Sequence, residues 1–133
     1  MFYLKVKGYF SSAHNLRNYH GSCENLHGHN WLVEVVFRGK HLNQTGMLID
    51  FRDAREWLNE VLDYLDHRYL NDLPPFKEIN PTSENIARYI FKELSKKLKE
   101  KRIISVTVHL VSVWENERSC AMYGEVEEEE YFE

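Results

Sequence analysis

Residues 27–37 of this 133-residue chain have the sequence HGHNWLVEVVF, in which every second position is apolar or a histidine. Successive side chains of a β-strand point to opposite sides of the sheet, so a two-residue period is typical of a strand with one buried face. The stretch therefore predicts a half-buried strand whose inward face begins with two histidines. The residues on that face are His27, His29, Trp31, Val33, Val35 and Phe37.

A second strand with the same period is predicted upstream, in residues 2–14. Its inward positions are Phe2, Leu4, Val6, Gly8, Phe10, Ser12 and His14. If the loop at residues 15–26 joins the two strands as an antiparallel hairpin, His14 comes to lie beside His27 and His29. The pattern thus predicts three imidazoles on one face, near the loop.

Two amphipathic helices are predicted after the hairpin. The first has Asp50 as its N-cap and an apolar stripe through residues 51–65, and it is expected to end before Pro74. The second follows the sequence NPTS at residues 80–83 and ends in the basic segment 96–102.

Two further strands are predicted at the end of the chain. The first runs toward Glu115, and residues 120–123 form the second. The order ββααββ indicates an α+β fold, with a four-stranded antiparallel sheet and the helix pair on one face. The alternating apolar positions of the first of these strands are Ile104, Val106, Val108 and Leu110.

Composition and length exclude several classes of protein. A single domain is expected over residues 1–124, followed by an acidic C-terminal tail at residues 125–133. The formal net charge of −4 gives no basic excess, so no nucleic-acid partner is expected. No apolar run approaches the roughly 20 residues that span a membrane, and no secretory signal is recognised, so we expect a cytoplasmic protein without a membrane partner. Two cysteines, Cys23 and Cys120, are too few for a disulfide framework.

Three histidines on one predicted surface indicate a metal site. Zinc accepts neutral imidazole nitrogens, and a catalytic zinc ion has three protein ligands and a fourth position open to water or substrate. We therefore predict that Zn²⁺ is bound by His14, His27 and His29.

A cupin metal motif is a competing interpretation, because Gly21, His27, His29, Glu34 and Gly39 nearly follow its order. Glu34 lies five residues after His29, so it faces the opposite side of a regular strand. A cupin jelly roll also needs about eight strands, which a chain with two helices of this length cannot supply. These arguments favour the zinc site on an α+β sheet.

Two further groups could supply proton chemistry. Cys23 precedes His27 by four residues, close enough for the field of a bound cation to favour its thiolate, although a small buried hydrophobic residue is the alternative. Asp66 is followed by His67, and a carboxylate beside an imidazole can orient and charge it.

Together these motifs resemble the family of the 6-pyruvoyl-tetrahydropterin and 6-carboxytetrahydropterin synthases. The resemblance implies the tunnelling fold, in which ββααββ subunits join their sheets around a ring. It also implies a homohexamer of two stacked trimers, with active sites at the subunit interfaces. The matching stretches are FSSAH at residues 10–14, CENLHGHN at 23–30, LDHRYLND at 65–72, NPTSEN at 80–85 and the strand-end Glu115.

The resemblance implies a role for each candidate residue. It makes His14, His27 and His29 the zinc ligands. Cys23 is the implied general base, supported by a proton relay of Asp66 and His67. Glu115 is the implied pterin anchor, and Thr82 and Ser83 contact the edge of the pterin. Arg17 and Arg118 are candidates for binding phosphate.

The implied substrate is a small pterin triphosphate, 7,8-dihydroneopterin triphosphate. Its conversion with loss of triphosphate and acetaldehyde gives 6-carboxy-5,6,7,8-tetrahydropterin, which feeds the pathway to queuosine. The short spacing C-x-x-x-H-G-H from Cys23 to His29 favours this branch of the family over the pyruvoyl branch.

Besides a synthase of the pyruvoyl branch, two alternatives remain open at the level of sequence. Glu24 resembles the C-E-x-x-H-G-H variant, in which the glutamate supports formation of 6-hydroxymethyl-7,8-dihydropterin for folate synthesis, but it could also be a polar loop residue. A non-catalytic binding module with a structural zinc is the other alternative, because Cys23 could close the coordination sphere as a fourth ligand.

Overall fold

The computed structural model describes residues 1–21 and 24–126, and its elements follow the predicted order. They are strand β1 (Phe2–His14), strand β2 (His27–Gly39), helix α1 (Phe51–Leu65), helix α2 (Ser83–Glu100), strand β3 (Thr107–Asn116) and strand β4 (Ser119–Tyr123). Neighbouring strands are antiparallel, in the order β1-β2-β3-β4. Helix α1 packs on β1, and α2 packs on β3 and β4. The predicted α+β architecture is therefore confirmed.

The β1–β2 hairpin has the predicted inward face. Its register runs without a shift from the pair Phe2 and Gly39 to the pair His14 and His27. Alternate side chains of both strands consequently enter the core, although Phe2 at the start of β1 is exposed. The fully or nearly fully buried residues of this face are Leu4, Val6, Phe10, Trp31, Val33, Val35 and Phe37.

Both helices begin at a capping side chain, and that of the first helix is the predicted Asp50. The Asp50 carboxylate accepts a hydrogen bond from the Arg52 N–H at 2.8 Å, and the Thr82 hydroxyl accepts one from the Asn85 N–H at 3.1 Å. Phe51 does not belong to the buried stripe of α1, because it is the first helical residue and its side chain is 56% exposed. Neither helix of the described chain is long and apolar enough to cross a membrane.

Strand β3 departs from the predicted alternation. Ile104 lies before the strand and is 95% exposed, whereas Val108 is buried. Val108 pairs with Phe37 but Leu110 pairs with Val36, so His109 is an extra residue that forms a bulge. Beyond the bulge the inward positions are odd-numbered, and they include the buried residues Val111 and Val113. The bulge thereby places Glu115 on the inner face, where an unbroken alternation from Val108 would place Trp114.

The segment after β4 is described only as far as Val126. The carboxylate of Glu125 contacts the ammonium of Lys92 and accepts a hydrogen bond from the Tyr123 hydroxyl at 2.8 Å. Residues 127–133, most of the predicted acidic tail, lie outside the described residues. The predicted boundary at residue 124 stays a prediction.

Candidate metal centre and active site

Three histidines converge where the β1–β2 hairpin meets its loop. His14 is paired with His27 across the ladder, and His29 lies two residues further along β2 on the same face. One ring nitrogen from each lies within 4.8 Å of the other two, and the described residues contain no second group of this kind. The three imidazoles are therefore placed to share one metal ion.

The orientation of His14 leaves one nitrogen free for a metal. Its side chain is buried, and its Nδ1 lies 2.8 Å from the carbonyl oxygen of Pro81, to which it donates. The proton is thus held on Nδ1, and the lone pair of Nε2 faces the other histidines. That Nε2 atom is buried and has no hydrogen-bond partner. A buried acceptor without a partner is costly, and a metal ion would satisfy it.

The other two histidines also have a ring nitrogen available to a metal ion. His27 Nδ1 lies 2.8 Å from the carbonyl oxygen of Asn25, which directs its Nε2 away from the loop. His29 Nε2 is buried without a hydrogen-bond partner. Burial lowers the pKa of His29 and outweighs the carboxylate of Glu115, which acts in the opposite direction. Since metals bind neutral imidazole, this set of three nitrogens fits a zinc ion.

An aromatic layer supports the histidines from the core side. Trp31 is fully buried and stacks on Phe10, with ring centroids 4.9 Å apart. Its indole meets the rings of His14 and His29 edge to face, at centroid distances of 5.0 and 5.1 Å. Close packing on two sides limits the rotamers of these imidazoles.

Glu115 reaches the same cluster from β3. Its Oε1 atom lies 3.6 Å from His14 Nε2 and 3.5 Å from His29 Nε2, and its side chain is 36% exposed. Glu34, the glutamate of the cupin interpretation, instead accepts from the Trp114 indole and lies 3.4 Å from the Lys5 ammonium. The fold and the position of Glu34 both exclude the cupin interpretation.

Asp66 and His67 form the predicted carboxylate–imidazole pair. Asp66 Oδ2 lies 2.7 Å from His67 Nδ1, while Asp66 Oδ1 accepts from the Ser11 N–H at 2.8 Å. These two hydrogen bonds, that of Ser11 first, lower the pKa of the Asp66 carboxyl. The pair is fixed at the edge of β1, because the His67 N–H also donates to the Ser11 carbonyl at 2.6 Å.

The imidazole of His67 is open to solvent. Its side chain is 82% exposed, and its backbone has a positive φ of 54° that turns the chain sharply after α1. A surface cleft of about 550 Å³ has both His67 and His29 among its lining residues. The imidazole of the relay and one of the three clustered histidines thus border the same cleft.

Cys23, the predicted general base, lies outside the described residues. Its neighbour Glu24 is described and organises the loop. The Glu24 N–H donates to the Leu16 carbonyl at 2.9 Å, and its carboxylate accepts from the Leu16 N–H at 3.3 Å. The same carboxylate lies 3.6 Å from His27 Nδ1. These contacts give Glu24 a structural function at the entrance to β2.

Thr82 and Ser83 lie beside the metal centre at the start of α2. Thr82 is the helix cap, Ser83 is the first helical residue, and both side chains are half-buried. The preceding residue, Pro81, provides the carbonyl that orients His14. Their predicted contact with a pterin stays a prediction.

Arg17, one of the two candidates for binding phosphate, has its guanidinium hydrogen-bonded to the protein backbone, and its contact with phosphate stays a prediction. Its guanidinium donates to the carbonyl oxygens of Asn71, Phe76 and Ile79, at 3.1, 2.6 and 3.2 Å. The amide of Asn71 also holds the loop, donating to the Asn15 carbonyl at 2.8 Å. Sequence reasoning missed this clamp, because its partners lie more than fifty residues away along the chain.

Substitution of Arg17 should therefore lower stability. We expect Arg17→Ala to reduce the free energy of unfolding by about 2 kcal/mol, because hydrogen bonds from a charged donor to three carbonyls are lost. Arg118→Ala, in the exposed β3–β4 turn, is the control and should change it by less than about 0.5 kcal/mol. Denaturant titration of both variants measures the difference, and equal midpoints would contradict the structural role of Arg17.

Comparison with known proteins places these features in a family. The sequence profile described as 6-pyruvoyl tetrahydropterin synthase matches residues 3–126. An Archaeoglobus fulgidus protein, provisionally named a 6-carboxy-5,6,7,8-tetrahydropterin synthase, is 41% identical over 112 residues, which are 84% of this chain and 86% of the relative. The 6-pyruvoyl tetrahydrobiopterin synthase of Dictyostelium discoideum is 33% identical, over 86% of this chain and 89% of the relative.

A solved structure agrees with the sequence matches. The 6-pyruvoyl tetrahydropterin synthase of Caenorhabditis elegans superposes with a TM-score of 0.80 at 28% sequence identity. The superposition covers 94% of this chain and 96% of the other.

Proposed function

The chain belongs to the 6-pyruvoyl tetrahydropterin synthase family, and from this premise we propose that it is a zinc-dependent 6-carboxy-5,6,7,8-tetrahydropterin synthase. The observation that carries the proposal is the convergence of three metal-binding histidines with Glu115 beside them. The Cys23-to-His29 spacing, and the name given to the Archaeoglobus fulgidus relative, support the carboxy branch. The product is a precursor for queuosine.

The proposed reaction converts 7,8-dihydroneopterin triphosphate. Atom balance requires one water to be taken up as triphosphate and acetaldehyde leave and the 6-carboxy group forms. A bound zinc ion supplies Lewis acidity, which makes the side-chain hydroxyls of the substrate more acidic. His14, His27 and His29 hold the ion, and Pro81 keeps His14 in the tautomer that this requires.

Glu115 is the proposed pterin anchor. A carboxylate can accept two hydrogen bonds, from the 2-amino group and a ring N–H of a pterin, which gives both orientation and selectivity. The partial exposure of Glu115 leaves it within reach of a ligand, on the same inner face as His14 and His29.

Proton transfer is assigned to Cys23 and to His67. Cys23 removes a proton from the substrate side chain, and His67, held by Asp66, gives or takes a second one. The exposure of His67 and the hydrogen bond of its Nδ1 leave Nε2 available at the cleft.

A second subunit is proposed to cover this cleft and close the site.

A homohexamer of the kind found in the family is the proposed assembly. The outer face of β1 supports it, because Tyr3 and Tyr9 are 57% and 71% exposed there. Both β1 and β4 are edge strands, whose backbone groups are available for pairing with another sheet.

Glu24 is expected to support the loop rather than to direct the reaction. Glutamine can still accept from the Leu16 N–H, so Glu24→Gln should leave the product ratio unchanged, whereas Glu24→Ala should slow turnover by displacing the loop that carries Cys23. Mass spectrometry of the pterin products measures both effects. A selective loss of 6-hydroxymethyl-7,8-dihydropterin in Glu24→Gln would instead favour the bifunctional enzyme.

A further inference from the structure

A groove lies between α2 and the start of β3, at the end of the sheet opposite to the three histidines. Its volume is about 720 Å³. Ile104 borders it with a side chain that is 95% exposed. Exposed apolar surface of this kind beside a groove is typical of an interaction site. The apolar residues that line the groove are Phe91, Leu98, Ile103, Ile104, Val106 and Val108.

Two cationic side chains also line the groove. They belong to Lys99 and Arg102, and both are exposed. Among residues 1–21 and 24–126, neither of them forms an ion pair, whereas Lys92 and Lys97 of the same helix do. The groove therefore favours an occupant that combines acidic with apolar or aromatic side chains.

The backbone at Arg102 has a conformation that arginine seldom adopts. Its φ is 58°, and its N–H donates to the Lys99 carbonyl at 3.1 Å, while the Ile103 N–H donates to the Leu98 carbonyl at 2.9 Å. This pattern ends a helix with a left-handed residue, a position that glycine occupies most often because a side chain is unfavourable there. An arginine at such a position indicates a function for its guanidinium, which borders the groove.

The chain itself leads into the groove after β4. Gly124 passes so close to β3 that a Cβ atom there would lie 2.9 Å from the His109 carbonyl oxygen. The next two residues, Glu125 and Val126, line the groove. The Glu125 carboxylate contacts the ammonium of Lys92, which fixes this segment to α2. The described part of the chain thus ends at the groove.

The residues that follow Val126 have the chemistry that the groove favours. Residues 127–133 have the sequence EEEEYFE, in which four glutamates precede Tyr131 and Phe132. Carboxylates suit the two cations, and aromatic rings suit the apolar lining. Seven extended residues span up to about 25 Å, which exceeds the dimensions of a groove of this volume.

We propose that residues 127–133 bind in this groove of their own chain, with glutamates against Lys99 and Arg102 and with Tyr131 and Phe132 on the apolar lining. The segment is then an internal ligand that covers Ile104, and its ion pairs weaken as the salt concentration rises. This inference does not depend on the pterin chemistry, because the groove lies at the other end of the sheet.

Carbodiimide cross-linking of the full-length protein tests the contact, because this reagent joins a carboxylate to an amine that touches it. We expect mass spectrometry to find Lys99 joined to the glutamates of residues 127–130. In an equimolar mixture of ¹⁵N-labelled and unlabelled protein, each cross-linked peptide should have one isotopic composition. Absence of the Lys99 cross-link, or peptides of mixed composition that reveal the segment of a second copy, would overturn the proposal.

Two full-length variants show whether the segment binds or only passes Lys99. Phe132→Ala and Ile104→Ser each remove one side of the apolar contact, so each should lower the yield of the cross-link severalfold. Ile104→Ser leaves the core intact, because that side chain is exposed. Tyr19→Ala removes an exposed aromatic side chain from the loop at the other end of the hairpin and should match the wild type. An unchanged yield in Phe132→Ala or in Ile104→Ser would overturn the proposal.

Discussion

His29→Ala is expected to abolish both metal binding and turnover. Two remaining imidazoles rarely retain zinc, and a catalytic zinc site depends on three protein ligands. The fold should persist, because the side chain of His29 is partly exposed and the apolar core lies below it. Metal analysis of the purified variant and an assay of product formation measure the two losses.

The matched control for this variant is His41→Ala. His41 is an exposed histidine in the loop after β2, outside the three-histidine cluster, so its removal should change neither the zinc content nor the rate. A His29→Ala protein with one zinc per chain and normal turnover would contradict the metal assignment.

Cys23→Ala is expected to keep the fold and the zinc while lowering kcat by about 10²–10⁴-fold, the usual contribution of a general base. The expectation rests on the place of Cys23 four residues before His27 and on the family resemblance. Steady-state kinetics and metal analysis of the same preparation measure both quantities.

Cys120→Ala provides the comparison for the cysteine variant. Cys120 is a half-buried free thiol in β4, and its removal should leave kcat close to the wild-type value. Loss of zinc together with activity in Cys23→Ala would point to the structural site with four protein ligands, and retained kcat would remove Cys23 from the reaction.

The hairpin and its histidines could be predicted because they depend on one short-range rule. Side chains alternate with a period of two, and an antiparallel register without shifts carries that alternation from β1 into β2. The same rule failed in β3, where the extra residue His109 changes which positions face inward. A bulge is fixed by pairing with the neighbouring strand, so the apolar sequence of β3 alone gives no sign of it.

Local sequence patterns also do not predict the contacts that orient the side chains of the candidate site. His14 and Pro81 are 67 residues apart, and the hydrogen bond between them exists only because the start of α2 packs at the end of β1. Arg17 could be predicted only as a candidate for binding phosphate, whereas the structure shows that turns between the two helices present carbonyl oxygens to its guanidinium. Such roles depend on tertiary placement, whereas the convergence of the three candidate metal ligands follows from strand geometry.

The proposed synthase activity is tested most directly by incubating the zinc-loaded wild-type protein with 7,8-dihydroneopterin triphosphate and identifying the products by mass spectrometry. We predict equal amounts of 6-carboxy-5,6,7,8-tetrahydropterin and acetaldehyde, with release of triphosphate, and no conversion once the metal is removed. Unchanged substrate, or 6-pyruvoyl-tetrahydropterin as the sole pterin product, would contradict the account.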